Sequence, residues 1–167
     1  MHLRNRLTIV TSFVCVLGTP VFAHGTEAHG PATKKQPTPA EQKAFGTAGN
    51  PVRVTRTIDM KMTDEMRFEP SVIKVKAGET VRFRLFNVGR VMHEMVIGTR
   101  AELLEHAALM RKFPGMEHDE PYMTHVAAGK RGEIVWRFNR VGEFEFACLI
   151  SGHFEAGMRG TISVAAN

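Results

Sequence analysis

From residue 51 onward, apolar and polar positions alternate in short runs. Thr80–Asn87 places Val81, Phe83 and Leu85 on one face and Arg82 and Arg84 on the other, which predicts a half-buried strand. Residues 71–76 (Ser-Val-Ile-Lys-Val-Lys) carry the same period and end at Ala77-Gly78-Glu79, a turn signal. Val52, Val54 and the apolar positions after them predict a first strand running through Met60, and a turn at Gly89-Arg90 leads into a strand over residues 91–97. Later, Ile134, Trp136 and Phe138 share one face of residues 132–138, Phe144, Phe146 and Cys148 share one face of residues 142–148, and residues 159–165 read as a closing strand. The period changes once. Thr99 and Glu102 form a capping box, and Leu103, Ala107 and Met110 recur at helical spacing, so a helix is expected from Thr99 to about Phe113. An irregular loop, residues 113–125, follows it. Many short strands with glycine-rich turns specify an all-β sandwich, here with one helical and loop insertion at about 99–131.

The first fifty residues do not share this pattern. Residues 1–23 combine Arg4 and Arg6, an apolar stretch from Leu7 to about Leu17, and Val21-Phe22-Ala23. These are the parts of a secretory signal peptide, and the apolar stretch is too short to span a bilayer. Residues 24–50 are polar, contain Pro31, Pro37 and Pro39, and show no hydrophobic period. They are expected to form a flexible tail, whose His24 and His29 offer weak metal ligands. Residues 51–167 are left as the folded domain.

Removing Arg4 and Arg6 with the leader takes the formal charge from +5 to +3. That mild bias is spread along the chain, without the aromatic–basic stripe of a nucleic-acid binder. Cys15 falls in the leader, so Cys148 is the lone cysteine of the processed chain and no internal disulfide can form. One unpaired thiol in an exported protein calls for a reason. A buried cysteine acting as a small hydrophobe is one answer; metal ligation is another.

The surroundings of Cys148 favour ligation. It ends an alternating strand, and His153 and Met158 follow at C-x4-H-x4-M spacing, with His93 upstream in Val91-Met-His-Glu-Met-Val-Ile97. Thiolate and thioether suit Cu(I), and imidazole suits Cu(II). Two His and one Cys with a long axial Met make a blue-copper electron-transfer site.

This spacing resembles the cupredoxin family, most closely its rusticyanin and auracyanin branch, over about residues 51–165. The resemblance implies a Greek-key β-sandwich and one type 1 copper cycling between Cu(I) and Cu(II). It implies His93, Cys148, His153 and Met158 as ligands, with His153 as the electron exit among Leu149, Ile150, Phe154 and Ala156. The His93-Glu94-Met95 segment and the loop at residues 113–119 are similar to periplasmic cupredoxins linked to bacterial copper tolerance. One position departs from the small blue-copper carriers: Glu94 stands where many have an Asn that donates a hydrogen bond. An ionised carboxylate cannot donate, so Asn87 or a backbone amide must replace it, and a perturbed blue or green centre is expected.

Met116, His118, Met123 and His125 cluster in the insertion, near His106. Loop thioethers and imidazoles suit a second copper site, with additional Cu(I) as its cargo; core packing accounts for Met62, Met95 and Met110. Paired His-x-His motifs, which multinuclear copper oxidases use, do not occur, so the chain is expected not to be an enzyme. The expected function is one-electron transfer in the periplasm in a setting of copper tolerance. The alternative is a protein that binds or oxidises Cu(I) at an additional Met/His site. Partners would be a redox protein or copper-handling proteins of the periplasm, with no nucleic acid and no membrane span in the mature form.

Overall fold

The computed structural model describes residues 40–114 and 118–167. Among these described residues eleven strands and one α-helix follow in the order β1 (Gln42–Lys43), β2 (Gly46–Ala48), β3 (Arg56–Thr63), β4 (Arg67–Glu69), β5 (Val72–Lys76), β6 (Thr80–Asn87), β7 (His93–Gly98), α1 (Arg100–Lys112), β8 (Met123–Val126), β9 (Arg131–Arg137), β10 (Gly142–Ala147) and β11 (Arg159–Ala165). They build two sheets, ordered β1-β2-β9-β6-β3-β4 and β5-β11-β10-β7-β8. Each sheet is mixed: β3 runs parallel to β6 and β5 parallel to β11, and the other pairs are antiparallel. The fold is the expected β-sandwich with a helical insertion.

The inward positions read from the alternation form the core. Val81, Phe83 and Leu85 of β6, Ile134 and Trp136 of β9, and Phe146 of β10 are buried between the sheets with Met60, Met62 and Met95. The outer face of the five-stranded sheet has a smaller core. There Leu103, Ala107 and Met110 of α1 lie over Val96, Met123, Ala147 and Leu149. The helix begins with the capping box foreseen: Thr99 accepts from the Glu102 backbone, and the Glu102 carboxylate accepts from the Thr99 N–H at 2.9 Å.

Three boundaries differ from the sequence reading. Val52 and Val54 do not start a strand. Pro51–Arg53 is a 3-10 turn, capped by the Asn50 side chain accepting from the Val52 N–H, and Val52 is exposed. Residues 40–50, assigned to the tail, belong to the sandwich. Here β2 pairs with β9, Phe45 stacks on Trp136 with ring centroids 5.2 Å apart, and Trp136 Nε1 donates to the Phe45 carbonyl at 2.9 Å. Burying a phenylalanine side chain contributes about 1.5–3 kcal/mol, which is enough to hold so short a strand pair in place. Lastly, the insertion is not irregular throughout: Met123–Val126 forms β8, an edge strand paired with β7.

Candidate metal centre

Three of the four expected ligands come from the connection between β10 and β11. Cys148 follows the last residue of β10, and its N–H donates to the Met158 carbonyl at 3.0 Å, so the loop closes on itself. Inside it, the Met158 N–H donates to the His153 carbonyl at 3.0 Å and the His153 N–H to the Ile150 carbonyl at 2.9 Å. Two positive-φ glycines permit this winding, Gly152 at +88° and Gly157 at +92°, a conformation that costs other residues strain. Arg67 of β4 pins the loop from outside by donating to the Ala156 carbonyl at 3.0 Å.

The fourth residue, His93, opens β7. Its alternation sends His93, Met95 and Ile97 towards the inter-sheet core and Glu94 and Val96 to the other face. The strand's entry is fixed by Asn87, whose amide donates to the Val91 and Val126 carbonyls at 2.8 Å each.

Together these elements bring donor atoms of His93, Cys148 and His153 within 4.8 Å of one another. Cys148 Sγ lies 3.2 Å from His153 Nδ1. Met158, wholly buried, belongs to the same core cluster as Cys148. The donor set fits copper for a reason visible in the protein alone. His93 Nδ1 is buried without a hydrogen-bond partner, and unsatisfied buried polar atoms are rare unless something is meant to meet them. The opposite nitrogen, Nε2, lies 3.3 Å from Asp64 Oδ1. Asp64 is held in turn by the Arg90 N–H at 2.8 Å. Carboxylate–histidine pairs of this kind fix the tautomer of a metal ligand. Asp64 was not among the candidate residues; it lies in a turn 29 residues before His93, and no local motif marks it.

Ionisation follows from the packing. Burial pushes the Cys148 thiol up to about 12, with the Glu94 N–H acting in the opposite direction. Burial lowers the pKa of His153, and the neighbouring His93 lowers it further, which favours the neutral imidazole that a metal requires.

Glu94 resolves the departure noted in the sequence. Its backbone N–H, 3.4 Å from Cys148 Sγ, is directed at the thiol, and Asn87 holds the strand entry instead. The Glu94 carboxylate works as an acceptor: Oε1 receives the Leu149 N–H at 2.7 Å, tying β7 to the ligand loop. Glu94 is completely buried, and burial raises its pKa, with the Leu149 N–H and then His125 opposing.

The apolar surround expected for His153 is only partly present. Leu149 is buried in the core beneath α1, and Ile150 and Phe154 are half-buried against the two cores. The exposed large apolar side chains nearest a candidate ligand along the chain are Val91 and Met92, directly before His93.

The expected second site divides. Met123 is buried beneath α1, with its thioether committed to packing. His118 and His125 are half-buried, and Met116 lies outside the described residues. His125 Nε2 sits 2.8 Å from Glu94 Oε2, and the His106 and His118 rings have centroids 4.7 Å apart.

Comparison with known proteins agrees with this geometry. Residues 54–165 match the model of the copper binding proteins of the plastocyanin/azurin family. The chain is 44% identical over 165 residues to the copper-resistant cuproprotein CopI of Rubrivivax gelatinosus, covering 97% of this chain and 99% of that one. It is 34% identical over 158 residues to the copper-resistant cuproprotein CopI of Pseudomonas aeruginosa, covering 77% and 87%. Among solved structures, auracyanin B superposes with a TM-score of 0.60 at 20% identity, over 75% of this chain and 98% of that one. Auracyanin A of Chloroflexus aurantiacus gives 0.55 at 22%, over 65% and 97%.

Proposed function

Since this chain belongs to the copper-binding plastocyanin/azurin family, we propose that it is a periplasmic type 1 copper protein that transfers single electrons in the service of copper tolerance. The observation carrying this reading is the convergence of His93, Cys148 and His153 within 4.8 Å, with an unpartnered buried His93 Nδ1 among them. His93 Nδ1, the Cys148 thiolate, His153 Nδ1 and the Met158 thioether are the atoms assigned to the metal. Bound copper would supply the one-electron couple between its +1 and +2 states.

The chain's own contribution is rigidity and exclusion of water. Asp64 holds the His93 ring, the Glu94 N–H is directed at the sulfur, and the Glu94 carboxylate fixes Leu149 beside it. A donor set that cannot relax keeps its geometry in both oxidation states, which lowers the cost of each transfer. Half-buried His153 is the assigned route for electrons to a redox partner or a copper-handling protein.

The setting of copper tolerance is supported by the name of the relatives, copper-resistant cuproprotein. Export is supported by the leader pattern in residues 1–23, and among the described residues no helix is long and apolar enough to cross a membrane. A carrier rather than an enzyme fits the absence of His-x-His pairs from the sequence.

The test is a metal titration of the purified mature protein, anaerobically with Cu(I) and separately with Cu(II). One equivalent giving intense thiolate-to-copper absorption is expected, and Cys148→Ser should abolish that absorption. Intense colour surviving in the variant would overturn the assignment.

A further inference from the structure

We propose that a polar cleft at the end of the sandwich opposite the metal centre binds a small multivalent oxyanion, one bearing carboxylate or phosphate groups, through Arg53 and Arg137. It uses none of the residues assigned to the metal, so the inference stands independently of the thiolate centre.

The cleft has a volume of about 580 Å³, within the range of small-molecule sites. Three stretches of chain wall it: the arm at residues 40–50, the connection from Arg53 to Thr55, and the ends of β6 and β9 at Thr80 and Arg137. Backbone pairing brings these stretches together. Thr47 of β2 and Thr80 of β6 flank Arg137 of β9, each directly opposite it on its own side. Thr80 opens β6, and Asn87, which fixes the entry of the His93 strand, closes it. The length of β6 therefore separates the cleft from the ligand end, about 23 Å at roughly 3.3 Å per residue.

The charge in the cleft has one sign. Its lining includes two guanidinium groups and no carboxylate. The acids that adjoin lining residues along the chain are engaged elsewhere: Glu41 accepts from Lys43 Nζ at 2.8 Å, and Glu79 Oε2 accepts from the Lys76 N–H at 3.2 Å. Among the described residues, Arg82, Arg84, Arg100 and Arg111 each have a carboxylate within 4.0 Å, whereas Arg53 and Arg137 have none.

The polar groups left over are donors. Asn50 Oδ1 already accepts from the Val52 N–H at 3.0 Å, which leaves its NH2 group unspent. Thr47 Oγ1 is buried without a partner, a rare condition for a hydroxyl. The other side chains are committed to the wall itself. Thr55 Oγ1 donates to the Thr80 carbonyl and accepts from the Thr80 N–H, both at 3.1 Å, and Gln42 exchanges hydrogen bonds with Asn139 at 2.7 and 3.1 Å. Surplus donors on a fixed frame suit an anion. A guanidinium meets a carboxylate or phosphate through two parallel N–H···O bonds, and two guanidinium groups in one cleft suit a ligand with more than one charged oxygen. An uncharged ligand would leave both unanswered. An anion held there joins the arm to β9 at a second point, beside the packing of Phe45 on Trp136.

Inorganic phosphate and succinate are the probes, each titrated calorimetrically into the full metal-free mature chain. Ionic strength is held fixed with sodium chloride, because attraction to scattered surface charge is screened by salt. One saturable equivalent is expected for at least one of the two anions, and the tighter of them tells a phosphate ligand from a carboxylate one. Arg53→Gln with Arg137→Gln should weaken it about tenfold or more, the loss of a charge-assisted hydrogen bond. Arg140→Gln with Lys61→Gln removes the same charge outside the cleft and should leave binding unchanged. Unaltered Trp136 fluorescence shows that the variants fold. The proposal is overturned if neither anion binds as one saturable equivalent, if the Arg53 and Arg137 changes leave affinity intact, or if the Arg140 and Lys61 changes weaken it equally. A polyglutamate peptide that binds where neither small anion does would assign the cleft to an acidic protein segment and would likewise overturn it.

Discussion

Replacing Glu94 tests whether a buried carboxylate serves chiefly as an acceptor. In the folded protein Oε1 takes the Leu149 N–H at 2.7 Å, and Leu149 is 1% exposed, so water cannot replace the lost partner. Orphaning a buried amide costs about 1–3 kcal/mol. Relief of the buried charge, visible in the raised Glu94 pKa, works against that loss and keeps the net effect within the same range. Glu94→Ala should therefore destabilise the metal-free protein by about 1–3 kcal/mol. Glu94→Gln keeps an oxygen for Leu149 and removes the charge, so it should stay within about 1 kcal/mol of wild type, on either side. Urea denaturation of the metal-free forms, followed by Trp136 fluorescence, gives both numbers. If the two variants lose stability equally, the charge and not the acceptor is what matters, and the reasoning is wrong. An Ala variant as stable as wild type would remove the Leu149 contact from consideration altogether.

Further outcomes follow from other contacts. With its pKa pushed up from 9.0 to about 12, the Cys148 thiol of the metal-free protein should react with iodoacetamide at pH 7 about 1,000-fold more slowly than a model thiol; a rate equal to that of the urea-unfolded chain would contradict it. Since the thiol must lose its proton to bind metal, copper affinity should rise with pH throughout the range below that value, as competition with a chelator would show. Asp64→Asn keeps one acceptor for the Arg90 N–H but loses the charge beside His93; copper affinity should fall roughly 10–100-fold, and an unchanged value would remove Asp64 as a positioning residue. Phe45→Ala should cost about 3–5 kcal/mol in denaturation experiments, because the ring is buried against Trp136; a loss below about 1 kcal/mol would mean that residues 40–50 do not hold the sandwich together.

What could be read from the chain in advance depended on how local the signal was. The Cys148–Met158 spacing and the alternation before it are contained in 17 residues, and the structure brings donor atoms of Cys148 and His153 within 4.8 Å of each other with Met158 in the same buried cluster as Cys148. The α1 capping box lies within four residues. By contrast, β1 and β2 are short and mostly polar, and they join the sandwich through Phe45 and a backbone carbonyl that only a distant Trp136 makes visible. Strand β8 has four residues inside a stretch rich in Pro, Gly and His, too few for a period to show. Asp64 and Glu94 act across 29 and 55 residues. Glu94 was noticed because it could not donate; its use as an acceptor depended on where Leu149 would come to lie.

The parallel pairing of β5 with β11 has a consequence for when this protein becomes functional. The final strand must find a partner registered some ninety residues earlier, with Thr161 opposite Val72, and pairings of such sequence separation form slowly. The Cys148–Met158 loop lies immediately before that strand and closes through a hydrogen bond between its own two ends. The centre is thus completed near the end of the folding reaction, after the C-terminus has been delivered. A chain whose last strand has not yet docked would hold His93 without its partners, with its Cys148 thiol not yet shielded.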